Sequence, residues 1–259
     1  MALVSVRDLE MRFGDRLIQT GISFDVEPGR IFVVMGGSGC GKSTLLKHMI
    51  GLIEPAAGSV NYDDVNYWKA DERGRTELRE HFGVLFQGAA LFSSMTLLEN
   101  VCVPLERQGK LDAAAREAKA HELLGLVDLG RFADFFPADI SGGMKKRAGL
   151  ARAIAGDPKL LFLDEPSAGL DPISSKKLDD LILALRDRTG AAVIMVTHEL
   201  ASIFAVADDS IFLDADSKHP IGHGNPNELR ESNCHPTVRA FLRRENLPES
   251  DPSAASEPA

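Results

Sequence analysis

The segment from Gly36 to Thr44 constrains the fold of this chain more than any other. It reads Gly-Gly-Ser-Gly-Cys-Gly-Lys-Ser-Thr and fits the phosphate-binding loop pattern G-x-x-x-x-G-K-[ST] at every fixed position. The apolar run at 30–35 predicts a buried strand before it, and the run at 45–50 predicts a helix after it. A glycine-rich turn between a strand and a helix is typical of a site for nucleotide phosphates, whereas the same turn without a ligand would not require the Lys-Ser pair.

Each residue type in this loop has a chemical reason. Glycines let the backbone curl so that successive N–H groups point at phosphate oxygens. Lys42 supplies a positive charge for the β- and γ-phosphates, and Ser43 supplies a hydroxyl for Mg²⁺. The sequence therefore predicts ATP and Mg²⁺ as cofactors, with the nucleotide-binding residues Gly36, Gly37, Ser38, Gly39, Cys40, Gly41, Lys42, Ser43 and Thr44.

Strand and helix patterns alternate along most of the chain, which predicts a largely parallel sheet flanked by helices. From residue 88 to about residue 157 the pattern is mostly helical, so a helical block is expected to be inserted in the sheet. The predicted strands are short and apolar and lie at 3–6, 22–26, 31–34, 58–62, 82–86, 160–163, 192–196 and 210–213. The clearest predicted helices lie at 111–126, 174–188 and 200–205.

Composition narrows the class of protein. No apolar run approaches the roughly 20 residues that cross a bilayer, and the first residues lack the order of a signal peptide, so we expect the chain to stay in the cytosol. The net charge of −9 argues against a broad nucleic-acid surface. Residues 245–259 hold four acids, no basic residue and three prolines, which predicts a disordered acidic tail.

Polar side chains follow three of the predicted strands. Asp164 and Glu165 come after 160–163, where a parallel strand delivers its end to the ligand crevice. We expect Asp164 to hold Mg²⁺ through water and Glu165 to polarise the water that attacks the γ-phosphate. His198 and Gln87 follow two other strands. The candidate catalytic residues are Lys42, Gln87, Glu165 and His198, and the candidate Mg²⁺ ligands are Ser43, Gln87 and Asp164.

A second glycine-containing segment, Ser141-Gly142-Gly143, opens a predicted helix. Ser141 is a natural N-cap, and the two glycines leave backbone N–H groups open to a ligand. The basic residues 145–147 follow at once, although positive charge in a first turn opposes the helix dipole. This misfit favours an anionic ligand nearby, and the alternative is an ordinary capped helix.

In their order along the chain, these residues resemble the nucleotide-binding subunit of ABC transporters over nearly the whole length. The resemblance implies a P-loop NTPase of the α/β class with a RecA-like core, an N-terminal antiparallel β subdomain and an α-helical subdomain at about 88–157, all within an ABC domain at 1–244. In that family the residue at Phe13 stacks on adenine, Glu165 is the catalytic base and His198 contacts the γ-phosphate. Ser141, Gly142 and Gly143 of one subunit close on the phosphate loop of a second copy in a head-to-tail dimer.

The chain departs from the usual family pattern at two places. The signature reads Ile-Ser-Gly-Gly-Met where Leu-Ser-Gly-Gly-Gln is commoner, and Phe13 stands where Tyr is usual. Neither change removes a phosphate contact, so we expect an active ATPase.

The segment from Gln87 to Val101 resembles that of the Mla/MCE-type phospholipid transporters. So do Ser-Gly-Gly-Met followed by Lys-Lys-Arg and the closing run at 236–242. That resemblance implies a transmembrane permease subunit, an MCE-domain lipid-binding protein and a STAS-domain subunit as partners, with the chain at the cytoplasmic side of the inner membrane. Small residues at 88–90 leave a groove for a partner helix, with apolar contacts from Leu91, Phe92 and Met95, although these three could equally belong to the helical block.

Other assignments remain open or disfavoured. Within transport, the alternative to a lipid transporter is an importer of small solutes or an exporter. A soluble ABC ATPase of DNA repair or translation is disfavoured, because the interval from Gln87 to Ser141 is too short for a long coiled coil and the chain has one cassette. A degenerate cassette acting only as a scaffold is disfavoured by the presence of Lys42, Glu165 and His198.

Overall fold

Ten strands form two sheets within residues 2–245, the part of the chain that the computed structural model describes. The strands are β1 (Val4–Phe13), β2 (Arg16–Val26), β3 (Ile31–Gly36), β4 (Ala57–Tyr62), β5 (Val65–Asn66), β6 (Phe82–Leu85), β7 (Leu160–Asp164), β8 (Ala192–Val196), β9 (Asp209–Leu213) and β10 (Pro220–His223). The α-helices are α1 (Lys42–Met49), α2 (Glu72–Arg79), α3 (Leu97–Gln108), α4 (Ala113–Leu126), α5 (Gly142–Ile154), α6 (Pro172–Thr189), α7 (Leu200–Val206), α8 (Pro226–Glu231) and α9 (Pro236–Arg243). Apart from Glu245, the predicted acidic tail lies outside the described residues.

The six-stranded sheet has the order β10-β9-β3-β8-β7-β6. The five strands from β9 to β6 are parallel, and β10 joins the edge antiparallel to β9. Parallel strands buried on both faces explain the apolar runs in the sequence, since β7 and β8 have no exposed residue. The largely parallel sheet that the alternating pattern predicted is confirmed.

The four-stranded sheet is antiparallel, with the order β2-β1-β4-β5. The strands β1 and β2 are about twice as long as the predicted runs at 3–6 and 22–26. The pairing register shifts between Val6 and Leu9, and Asp8 has a φ of 45°. Such bulges break the alternation of apolar and polar residues, which is why the sequence pattern indicated only the strand ends.

The two cores lie on opposite faces of the parallel sheet. Along β3, the side chains of Val33 and Met35 join the core formed with α3 to α7, whereas Phe32 and Val34 join the core formed with α1 and the antiparallel sheet. This division follows from the two-residue period of a strand. The strand that leads into the phosphate loop is therefore fixed from both sides, with every residue buried.

The helices α3, α4 and α5 all fall between residues 88 and 157, where a helical block was expected. A capping box at Thr96 and Glu99 begins α3, and the Asp112 side chain caps α4. Their apolar faces pack together, with Leu105, Leu124 and Leu150 buried in one core. The limits of this subdomain and of the 1–244 domain remain predictions.

None of the helices within residues 2–245 combines the length and the apolar character needed to cross a bilayer.

Candidate functional site

The phosphate loop connects β3 to α1, and its shape requires glycine at both ends. Gly36 has a φ of 147°, and a Cβ there would collide with the carbonyl oxygen of Leu213. Gly41 has a φ of 102°, and a Cβ there would lie 2.8 Å from the Ile18 side chain. Both conformations are costly for residues with a side chain. The helix N-terminus therefore approaches the loop with its first N–H groups open, because Gly41 offers no side-chain cap.

Lys42 is held firmly within this loop. Its Nζ donates hydrogen bonds to the carbonyl oxygens of Gly36 at 2.9 Å and Gly37 at 2.8 Å, and the residue is only 8% exposed. A buried ammonium is costly unless its protons are satisfied, and here backbone oxygens satisfy them. The positive charge is thus positioned at the loop before any anion binds.

Three strand ends converge beside the loop because β6, β7 and β8 are adjacent and parallel. Leu85 pairs with Leu163, and Asp164 pairs with Val196. The residues that follow these pairs are Gln87, Glu165 and His198, so the register brings together three side chains that lie 78 and 33 positions apart along the chain. The expectation that these strand ends meet is met by the geometry.

Glu165 and His198 form a close pair. The Nδ1 atom of His198 lies 2.8 Å from Oε1 of Glu165. The other carboxylate oxygen, Oε2, is buried and has no hydrogen-bond partner among the described residues. Glu165 also has a φ of 48°, in the left-handed region, while its N–H donates to the Val196 carbonyl at 2.8 Å. Strain of this kind in a non-glycine residue is typical of functional sites, and the free Oε2 is suited to accept a proton.

The residues proposed to hold Mg²⁺ offer oxygen atoms. Ser43 Oγ donates to Asp164 Oδ1 at 2.9 Å, and Gln87 lines the same cavity as Ser43. Burial raises the pKa of Asp164, although the hydrogen bond from Ser43 opposes this. Within residues 2–245 no group of three acidic, His or Cys side chains forms a cage for a metal. A hydroxyl, a carboxylate and an amide oxygen fit Mg²⁺, which commonly takes one or two protein ligands together with substrate phosphates.

One cavity of about 390 Å³ collects most of the candidate residues. It is lined by Ser38, Gly39, Gly41, Lys42, Ser43, Thr44, Gln87, Glu165 and His198. Asp164 is not among these lining residues and is connected to the cavity by its hydrogen bond from Ser43. Gly36 and Gly37 lie behind Lys42 as its carbonyl partners.

Cys40 differs from its neighbours in the loop. Its side chain is 1% exposed and lies in the core below the loop, and burial raises the pKa of its thiol. Gln19, a buried residue that the sequence reasoning missed, donates from Nε2 to the Cys40 carbonyl at 3.0 Å. Any contact of Cys40 with a nucleotide would therefore involve its backbone.

The candidate residues Phe13 and Ser141 to Gly143 do not line this cavity. Phe13 ends β1 with 53% of its surface exposed. Ser141 and Gly142 are exposed, and Ser141 Oγ accepts a hydrogen bond from the Met144 N–H at 3.3 Å. The candidate residues of the phosphate loop and those at the start of α5 therefore do not line a common cavity.

The basic first turn of α5 has an explanation within the chain. Lys146 is turned inward, and its Nζ donates to the carbonyl oxygens of Glu165 at 3.0 Å and Ala168 at 2.5 Å. Arg147 donates to the Val127 carbonyl at 3.0 Å. These contacts explain the two basic residues without an anion, and an anionic ligand near this turn stays a prediction. The missed signal is periodicity, because Lys146 shares a helix face with the buried Leu150 and Ala153.

The segment from Gln87 to Val101 is fixed by the buried side chain of Asn100 and the half-buried side chain of Arg152. Asn100 accepts from the Phe92 N–H at 2.8 Å and donates to the carbonyls of Phe92, Met95 and Thr96. Arg152 donates to the carbonyls of Ala89 at 2.9 Å and Ala90 at 2.8 Å, and both alanines have a positive φ.

The apolar residues of this segment divide between core and surface. Leu91 packs partly against the core, whereas Phe92 is 49% exposed. Phe92 and Ala90 line a groove of about 350 Å³ together with Pro104 and Arg107 of α3. Leu91 therefore belongs partly to the core, whereas contact of Phe92 with a partner stays a prediction.

Comparisons with known proteins bear on this site. The family model described as ABC transporter matches residues 19–168. The chain is 38% identical over 239 residues to the probable ribonucleotide transport ATP-binding protein mkl of Mycobacterium leprae, covering 92% of this chain and 68% of that protein. It is 37% identical over 240 residues to the intermembrane phospholipid transport system ATP-binding protein MlaF of Escherichia coli K12, covering 93% and 88%. The solved dimer of the ATP-binding cassette MJ0796 bound to ADP and Pi superimposes with a TM-score of 0.77 at 28% identity, covering 85% of this chain and 97% of that one.

Proposed function

Because the chain belongs to the ABC transporter family and is an ATPase subunit with the P-loop NTPase fold, we propose that it drives phospholipid transport between membranes through a separate MCE-type permease complex. The observation that carries this proposal is the 37% identity to MlaF over 93% of this chain and 88% of that protein. The mycobacterial relative, of which the chain spans 68%, is named for ribonucleotide transport. An importer of small solutes or an exporter is therefore the second candidate.

The proposed chemistry is phosphoryl transfer to water without a covalent intermediate. Lys42 binds the β- and γ-phosphates, and the open N-terminus of α1 adds backbone N–H donors. Glu165 accepts a proton from the attacking water at Oε2, the carboxylate oxygen without a partner among the described residues. His198 orients Glu165 through Oε1, and it would also contact the γ-phosphate. Gln87 orients the water from the end of the neighbouring strand β6.

Mg²⁺ would be held by Ser43 and Gln87, with Asp164 behind Ser43, and it would neutralise charge on the phosphates. The ring of Phe13 is proposed to stack on adenine, which agrees with its exposure at the end of β1. These assignments follow from placement and from the family resemblance.

The exposed N-terminus of α5 is proposed to complete the site of a second copy. Ser141, Gly142 and Gly143 do not line the cavity at Lys42, so a phosphate held in that cavity of the same chain is not expected to use their donors. The cassette MJ0796 was solved as a dimer. Two copies arranged head to tail would enclose two ATP molecules.

The groove beside Phe92 is the proposed contact with the permease. The groove lies next to Gln87. Gln87 and the groove belong to one segment, whose backbone Arg152 holds at Ala89, so a movement caused at the γ-phosphate would be passed along that segment to the groove. Further proposed partners are an MCE-domain lipid-binding protein and a STAS-domain subunit. The chain would then lie at the cytoplasmic side of the inner membrane, bound through the permease.

Purification of the tagged chain from detergent-solubilised membranes tests this proposal. We expect a permease and an MCE-domain protein to co-purify, with phospholipid detectable by mass spectrometry. A variant with Phe92→Asp in the groove should lose both partners and keep its ATP affinity. Co-purification of a solute-binding protein without an MCE-domain protein would overturn the lipid assignment in favour of solute import.

A further inference from the structure

A chain of buried hydroxyl and carboxyl groups connects α6 with the two segments that carry the catalytic pair. Ser167 Oγ lies 3.2 Å from Ser202 Oγ, and Ser202 Oγ donates to Asp179 Oδ2 at 2.8 Å. Ser167 and Ser202 are fully buried, and Asp179 is 3% exposed. Buried polar groups that bond to one another in this way fix the relative positions of the backbones that carry them.

This chain of groups closes a ring around Glu165 and His198. Ser167 follows Glu165 by two residues, and Ser202 lies four residues after His198, in α7. On the other side of the ring, Glu165 and His198 contact each other at 2.8 Å. A shift of Ser202 relative to Ser167 would therefore change the distance between the catalytic side chains.

The charge of Asp179 decides the direction of the hydrogen bonds. An ionised carboxylate only accepts, so Ser202 must donate to Asp179, and Ser167 must donate to Ser202. A protonated carboxyl can donate to Ser202, which then donates to Ser167, and the order is reversed. The protonation of one residue in α6 thus sets the direction of the hydrogen bond made by the Ser167 hydroxyl, two residues after Glu165.

We propose that Asp179 is a positioning residue for ATP hydrolysis, acting through Ser202 and Ser167 on the Glu165–His198 pair. This inference rests on the proposed roles of Glu165 and His198. Asp179 touches neither nucleotide nor attacking water. It sets how closely the pair is held.

The surroundings of Asp179 place its titration in an accessible range. Burial raises its pKa to about 6, and the hydrogen bond from Ser202 acts in the opposite direction. Its second oxygen, Oδ1, is buried without a partner among the described residues, next to a cavity of about 930 Å³ between α6, α7 and α9. The charged or titratable groups that line this cavity with it are Lys176 and Asp180 of α6, His198 and Glu199 before α7, and Arg244 and Glu245 after α9. Lys176 is already paired with Asp180 at 2.6 Å.

The matched variants are Asp179→Asn and Asp180→Asn. Both remove one acid from adjacent positions of α6, but the Asp180 side chain is 59% exposed and lies outside the buried chain of groups. ATP hydrolysis would be measured with the full chain purified together with its membrane partners, at about pH 7.5 and about pH 5.5, with kcat and KM separated.

We expect Asp179→Asn to lower kcat roughly three- to tenfold at about pH 7.5, with KM for ATP within about twofold of wild type. At about pH 5.5 the difference should shrink to within about twofold, because Asn and a protonated carboxyl are both neutral. Asp180→Asn should follow wild type at both values. The proposal would be overturned if the ratio of the Asp179→Asn kcat to the wild-type kcat were the same at both pH values. An effect confined to KM, or the same pH-dependent loss of kcat in Asp180→Asn, would also overturn it.

Ser202→Ala provides a second route if Asp179→Asn does not fold. It interrupts the chain of groups at its middle, so the ratio of its kcat to the wild-type kcat should change with pH in the same way as for Asp179→Asn. Combined with Asp179→Asn it should cost no more than Ser202→Ala alone. Additive losses would contradict the proposal. Its failure is separable from failure of the proposed function, in which wild type would not hydrolyse ATP or Glu165→Gln would hydrolyse it at the wild-type rate.

Discussion

The helices α1 and α5 both begin beside glycines, yet their N-termini differ in every other respect. At α1, Lys42 is 8% exposed and tied to two carbonyls, and three strand ends bring Gln87, Glu165 and His198 around it. At α5, Ser141 is exposed and its hydroxyl bonds only to its own helix. One chain therefore gathers the candidate catalytic side chains at the N-terminus of α1 and presents exposed backbone N–H donors at the N-terminus of α5. This difference is what the proposed head-to-tail arrangement requires, in which each site takes one half from each copy.

The largest effect should come from the enclosed half. Glu165→Gln removes the base and keeps the size of the side chain, so kcat should fall roughly 10²- to 10⁴-fold while ATP still binds. Steady-state hydrolysis together with equilibrium ATP binding measures both quantities. Glu117→Gln, on the exposed face of α4, is the control and should change neither. Wild-type turnover in Glu165→Gln would show that the base lies elsewhere.

Lys42→Ala should weaken ATP binding itself, roughly 10- to 100-fold, because a charge-assisted contact to phosphate is lost. It also leaves the carbonyls of Gly36 and Gly37 without their donor. Titration with a fluorescent ATP analogue measures the Kd. Lys47→Ala, one turn further along α1 at an exposed position, is the control. An unchanged Kd in Lys42→Ala would count against the phosphate loop as the nucleotide site.

Mixing two inactive variants tests whether the halves belong to different copies. Ser141→Arg should block the exposed half, and Lys42→Ala the enclosed half, so each alone should hydrolyse little ATP. In a mixed dimer one of the two sites keeps both intact halves, and an equal mixture should recover about a quarter of the wild-type rate. If mixing restores nothing, the complete site lies within a single chain.

The smallest expected effect is on stability, and its dependence on pH separates the two regions. The folded state raises the pKa of Asp179 from 3.8 to about 6, so folding binds a proton more tightly. The resulting stabilisation is present at low pH and is lost as the pH rises towards the folded pKa.

Asp179→Asn should therefore increase the free energy of unfolding by on the order of 1–3 kcal/mol at about pH 7.5, and much less at about pH 4. Ser141→Ala should instead cost about 1 kcal/mol at both values, because it removes only an uncharged cap. Urea unfolding at the two pH values measures both. A pH-independent effect of Asp179→Asn would refute the raised pKa.

The sequence predicts the fold class and the convergence at the site because both depend on strong local patterns. Apolar strands that end in Asp164-Glu165 and at His198 must meet in a parallel sheet, and the glycines at 36 and 41 allow little besides a tight loop. Helix limits were close where capping residues were present, as at Asp112.

Other features could not be predicted from the sequence because they depend on contacts between elements that are distant along the chain. The inward turn of Lys146 requires the carbonyls of Glu165 and Ala168, which belong to the loop after β7. In the sequence, Asp179 is one of two adjacent acids within a predicted helix, and only the position of Ser202 gives it a partner. The bulge at Asp8 concealed the length of β1.

Arg152 and Asn100 together affect how a movement is passed along the segment from Gln87 to Val101. Arg152 clamps the backbone at Ala89 and Ala90, and Asn100 clamps it again between Phe92 and Thr96. A segment clamped at two places bends little when it is pushed. Under the proposed function, a displacement that begins at Gln87 would therefore reach the groove at Phe92 with little loss of amplitude. Little of the energy of ATP hydrolysis would be stored as deformation of the segment itself.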